Sequence, residues 1–246
     1  WSGAGGPDNT AVWMATWNYT VIRSSGVSSV QREADQSLGR PWTRMAPTIN
    51  VFEETFAEKD LDSRYDGTFV TSYRGNWDKA GISAPTLNNA NGLPIEPGDA
   101  VLTFLDEDPG VAIDYSGNKA NIGAGEIPGR SDYVIAPRGI NRVTYPGLWK
   151  LGTYRTDNAG TLGQPNGAVT RPFPIAKFSE FYFIAAEAAV KGATPQGGKS
   201  ARELINVIRA RAGKWRFDNG EQQERIEDNS AAMVAATPLV IDIDYI

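Results

Sequence analysis

The sequence predicts a mainly α fold with long irregular loops and a few short strands, in which a helix pair packs under a loop-rich region. Three observations carry this expectation. Residues 171–213 hold two apolar stripes of helical period around a Gly/Pro-rich break. The chain contains 26 glycines and 15 prolines, many of them between 80 and 170, which punctuates that stretch into connections. The apolar runs before 170 are short. Residues 1–246 are therefore expected to form one domain: a loop-rich part over about 1–170, the helix pair over about 174–213 and a tail over 214–246.

Taken in order, residues 10–22 (TAVWMATWNYTVI) are rich in Val, Thr, Trp, Tyr and Ile and lean towards a strand. The polar, Gly- and Ser-containing stretch Ser24 to Arg40 reads as a loop leading to Trp42. Thr48 is placed to cap a helix that presents Ile49, Phe52 and Phe56 at i, i+3 and i+7 and ends near Asp60. A short strand over Thr68 to Tyr73 breaks into the turn Arg74-Gly75-Asn76-Trp77. Between 85 and 145 only short apolar runs such as Val101 to Leu105 appear.

In the helix pair, Phe181, Ile184, Ala185 and Ala188 form one stripe, and Ala201, Leu204, Ile205 and Ile208 form the other. Ser200 with Glu203 three residues on has the pattern of a capping box, and Gly213 stands where the second helix stops. The break from Gly192 to Lys199 suits an antiparallel pair, and the alanines allow close approach of the two axes. Glu221 to Ala236 is expected to form another helix.

Composition excludes several chemistries. The chain has no Cys and no His, so it has no disulfide, thiol nucleophile, imidazole ligand or Ser-His-Asp triad of its own. Its formal charge is −5, from 24 basic and 29 acidic residues without a clustered basic patch, which argues against nucleic acid as a partner. Apolar residues make up 41% of the chain, enough for a substantial core, while no run of eighteen apolar residues is present to cross a membrane as a helix.

The residues of the helix pair, with what precedes them, resemble the SusD/RagB family of glycan-binding lipoproteins. The resemblance is carried by the lead-in Arg171 to Pro174, by Glu180, Tyr182, Ala185, Ala186 and Glu187, and by Ala201, Ile205, Asn206, Arg209, Arg211, Ala212 and Gly213. Upstream, Trp42, Pro47-Thr48, Phe52 and Phe56, then Asp62, Arg64, Tyr65 and Phe69, are similar to the family's Pro-Thr helix and its D-x-R-Y-x-x-x-F stretch. The resemblance spans roughly 40 to 246 and departs from the family's pattern where Lys177 stands in place of an Arg or similar base. It implies a SusD-like fold with a tetratricopeptide-type helix pair, and it makes this chain the C-terminal portion of a longer protein, truncated at both ends. It also implies non-catalytic binding of oligo- or polysaccharide at the bacterial cell surface and delivery to a SusC-like TonB-dependent transporter. The full-length protein would sit on the outer membrane through an N-terminal lipid anchor absent from this chain. No cofactor is expected, and a structural calcium ion is left open without named ligands.

Sugar recognition needs flat apolar faces together with amide, carboxylate and guanidinium groups for the hydroxyls. Tyr73, Arg74, Asn76 and Trp77 bring such groups together in one turn, and Trp42 and Arg44 form a second, sparser candidate beside Arg40. Trp13, Trp17 and Trp149 are expected to be buried, and Trp215 suits either role. The paired acids Asp106-Glu107-Asp108 and Asp60-Leu61-Asp62 have the residue types of a glycosidase, but adjacency in sequence does not set the spacing such chemistry requires. Asp62 and Arg64 are expected to form a structural ion pair. A tetratricopeptide-like scaffold without glycan binding and a glycoside hydrolase stand as alternatives, and the chain is expected not to be an enzyme.

Overall fold

Short strands, not helices, make up most of the regular elements, and this corrects the mainly α expectation. The computed structural model describes residues 18–33, 35, 37–38, 46–117, 119–141, 144–150, 175–194 and 197–246. Among these, eleven short strands form five small sheets, and only two helices reach three turns. Of the stretches with helical period, only those two form helices of that length. Elsewhere Gly and Pro interrupt the chain every few residues, so only strands of two to six residues form.

The chain divides into two units: the first is Trp1–Ala57, Asp66–Arg171 and Asn219–Gln222, and the second is Glu58–Tyr65, Pro172–Asp218 and Gln223–Ile246. Nine strands belong to the first. β1 (Arg23–Ser24) and β2 (Val27–Ser28) make a hairpin inside the stretch expected to be a loop. Asn18–Val21 is a 3-10 turn rather than the end of a strand, while residues 1–17 lie outside the described residues. β3 (Phe69–Val70) pairs with β9 (Gly147–Leu148), and β5 (Leu87–Asn88) with β6 (Pro94–Ile95).

The centre is a three-stranded sheet in which β4 (Ser72–Arg74) runs antiparallel to β7 (Ala100–Phe104), and β8 (Tyr133–Ile135) runs parallel to β7 on its other side. Val101 and Leu102 are consecutive and both buried, as a strand covered on both faces requires. Tyr73, Trp77, Leu102, Phe104 and Ile135 fill the core, and Trp149, expected to be buried, packs against it only partly buried. Phe52 is buried and meets Phe69 at 5.3 Å between ring centroids, with Phe56 on the edge of the same ring. The expected helix there is a single wide turn over Val51–Thr55.

The turn α1 (Ser63–Asp66), of which Ser63 to Tyr65 belong to the second unit, begins beside the expected ion pair, with Arg64 Nη2 2.5 Å from Asp62 Oδ2. Asp62 is buried, and its hydrogen bonds raise the pKa of the Arg64 guanidinium. α2 (Phe178–Val190) and α3 (Ala201–Ala212) are the predicted pair. Ser200 caps α3: its backbone N donates to Glu203 Oε2 at 2.7 Å, and its Oγ accepts from Glu203 N at 3.3 Å.

The α3 stripe is as predicted, with Leu204 and Ile205 buried. The α2 stripe is not. Phe181 and Ile184 are each 62% exposed, and it is Tyr182, Ala185 and Ala186 that pack against Leu204 and Ile205. α2 carries apolar residues on two faces, and the face with the smaller side chains is the one that allows the closer approach. The expected helix over 221–236 is instead the second strand of a hairpin, β10 (Lys214–Asp218) with β11 (Gln223–Asp228), followed by the short α4 (Ser230–Ala235). Trp215 is buried, with the Arg225 guanidinium 3.6 Å from its ring centroid. That stacking explains how a strongly charged stretch holds a strand. No helix among the described residues is long and apolar enough to cross a membrane.

Candidate functional site

The segment that leaves β4 is shaped by a glycine. At Gly75 an added Cβ would lie 2.3 Å from Cζ3 of Trp77, so only glycine lets the chain fold back over the indole. Trp77 is then fully buried, and its Nε1 donates to Ala84 O at 2.8 Å. Just before it, the β4–β7 register slips between Tyr73 and Arg74, so that Val101 is the extra residue on β7. Such a bulge re-aims the side chains beside it. Gly98, at φ 97°, makes the facing turn, and its N donates to Gly75 O.

This positions a cleft of about 320 Å³ in the first unit. One side comes from Arg74, Gly75, Asn76, Asp78 and Lys79; the other comes from Glu33, Asp35, Ser37 and Leu38, with Pro97, Gly98 and Gln222 closing it. Asn76 ties the two sides together. Its Oδ1 accepts from Gln31 N at 2.6 Å, its Nδ2 donates to Gln31 O at 3.2 Å and Glu33 Oε2 at 3.3 Å, and its backbone N donates to Ser29 O. The carboxylate of Glu33 is buried, and Lys79 Nζ donates to both of its oxygens, at 2.8 and 2.7 Å. Arg74 spreads over three acceptors: Gly220 O through Nε and Nη2, Gly98 O through Nη1, and Glu221 Oε2 at 3.0 Å. The segment carrying Gly220 is fixed by Asp66, whose carboxylate accepts from Asn219 N at 2.9 and 3.0 Å.

Of the six residues expected to bind ligand, Arg74 and Asn76 line the cleft. Tyr73 and Trp77 do not: they are 1% and 0% exposed and serve as core, so neither ring offers a face to a sugar, against the expectation of an aromatic platform. Their polar neighbours in sequence suggested exposure, but the strand places Tyr73 inward and the Gly75 fold-back swallows the indole. Trp42 and Arg44, like Arg40, lie outside the described residues. Glu33, Asp35 and Lys79 went unrecognised in the sequence. Lys79 and Glu33 are 46 positions apart, and no local spacing connects them.

Asp62 is committed to Arg64, and among the described residues no group of three acidic side chains is disposed to hold a metal ion. A second hollow, of about 400 Å³, lies on the helix pair against Phe178, Tyr182, Val207 and Arg211. Its described lining has no carboxylate or amide to accept from sugar hydroxyls, so the cleft by Arg74 is the better candidate.

Residues 7–234 match the model of a protein family, the SusD family. No curated protein matches the chain at a significant level.

Proposed function

Because this chain belongs to the SusD family, we propose that it binds oligo- or polysaccharide without cleaving it, as the surface component of a nutrient-uptake system that delivers glycan to a TonB-dependent outer-membrane transporter. The family match over residues 7–234 is the observation that carries this reading. The cleft beside Arg74 supports it, because guanidinium, ammonium, amide and carboxylate groups converge there on a space of about 320 Å³, the mix that hydroxyl-rich ligands require. In this reading Arg74 and Asn76 contact the ligand or hold the groups that do, and Trp42 and Arg44, outside the described residues, are a separate assignment. The chain performs no covalent step. Capture at the outer face of the membrane and release to the transporter are its whole task.

Affinity electrophoresis over a panel of polysaccharides, with Arg74→Ala and Trp42→Ala beside the parent, tests this. Retention on at least one polysaccharide, weakened in Arg74→Ala and accompanied by no new reducing ends, is the expected result. Release of reducing ends would point to a hydrolase. Equal retention of parent and both variants would reject the assignment of these residues.

A further inference from the structure

The geometry points to a charge filter in the cleft: it takes glycan segments that are neutral or carry an amino group and turns away segments bearing carboxylate or sulfate. This inference rests on the reading of the cleft as a glycan site.

The cations that line the cleft are already matched. Lys79 Nζ is held by both oxygens of Glu33, and Arg74 is held by Glu221 and by two backbone carbonyls. Asp35 and Asp78 line the same cleft beyond these pairs, and among the described residues neither enters an ion pair. Asp35 turns one oxygen to the backbone N and Oγ of Ser37, which fixes its direction and leaves the charge unneutralised. Among its described residues the cleft therefore presents two carboxylates in excess. A hydroxyl or ammonium donor meets acceptors there, whereas a second anion meets like charge, and among the described lining residues no free cation receives it. A ligand carboxylate about 6 Å from one such acid, at an effective dielectric near 40, is disfavoured roughly tenfold. The −5 charge of the whole chain has the same sign and adds to the effect at low salt.

The test uses whichever neutral polysaccharide retains the protein (amylopectin, galactomannan and xyloglucan are the probes), compared at low salt with its carboxymethylated derivative and, as a control for size, its hydroxyethylated one. The parent is expected to be retained about tenfold more weakly on the carboxymethyl form than on the hydroxyethyl form, with the gap narrowing several-fold in Asp78→Asn and in Asp35→Asn. Equal retention on the two derivatives overturns the proposal, as does a gap that neither variant narrows, or retention on polygalacturonate in preference to every neutral probe. Retention on no polysaccharide at all would instead remove the glycan reading on which the filter depends.

Discussion

Lys79 grips both carboxylate oxygens of Glu33 across 46 positions of sequence, and only one member of the pair is buried: the side chain of Glu33 is 3% exposed and that of Lys79 is 45%. Removing the cation deprives a desolvated carboxylate of the charge that both its oxygens face. Lys79→Ala is therefore expected to destabilise the first unit by about 2 kcal/mol, less than for a fully buried pair because water reaches the Lys79 side. The double variant Lys79→Met with Glu33→Leu, which removes both charges, is expected to fall closer to the parent. Urea titrations of the three proteins check this, and additive losses would contradict the coupling.

Gly75 and Trp77 give a steric prediction. With Cζ3 of the indole 2.3 Å from where a Cβ would sit, Gly75→Ala forces the ring or the strand to shift and is expected to cost roughly 1–3 kcal/mol. Trp77→Ala empties a fully buried site in the core and is expected to cost roughly 3–5 kcal/mol. Thermal melts followed by near-ultraviolet dichroism measure both. A Trp77→Ala protein of unchanged stability that loses glycan retention would show the ring to be a ligand contact after all.

Gly213 ends α3 with an ordinary φ of −71°, so it is not there for left-handed backbone. A Cβ would instead lie 2.7 Å from the carbonyl carbon of Asn229 and from Ser230 N, where the backbone returns to donate from Asn229 N to Gly213 O. Gly213→Ala is expected to destabilise the second unit by roughly 1–3 kcal/mol, because backbone cannot yield as a flexible side chain can. Amide exchange at Asn229, whose N–H is held by that bond, is expected to accelerate.

Exposed acids, Glu203 and Asp228 among them, set an acid limb of stability in the same unit. Hydrogen bonds from the backbone and side chain of Ser200 lower the pKa of Glu203, and bonds from the side chain and backbone of Ser230 lower that of Asp228. A folded pKa below the unfolded one means stability that is present above the unfolded value, near 4, and lost as pH falls through the folded value. Denaturant midpoints are expected to drop on acidification below about pH 4.5. Ser200→Ala is expected to flatten the Glu203 part of that slope and to cost about 1 kcal/mol of capping at neutral pH. An acid limb of unchanged slope in that variant would count against the assignment.

The elements legible in sequence were those whose causes lie within a few residues. The capping box at Ser200 and Glu203, the α3 stripe through Leu204 and Ile205 and the ion pair of Asp62 with Arg64 all appear where spacing put them, and the order of the family's motifs was enough to indicate membership. Which face of α2 packs was not legible, because Phe181 and Ile184 share its periodicity with Tyr182, Ala185 and Ala186. Nor was the β10–β11 hairpin, whose charged second strand is held by a stack on Trp215.

At the candidate site the sequence by itself determined that the chain turns after β4 and which polar groups that turn carries, since Gly75 and the residues around it act locally. Tertiary structure alone decided that Tyr73 and Trp77 are spent on the core and that Glu33 and Asp35 come to face Arg74 and Lys79. Burial and charge pairing depend on what other segments bring to the same place, and no residue type or spacing encodes a partner 46 positions away.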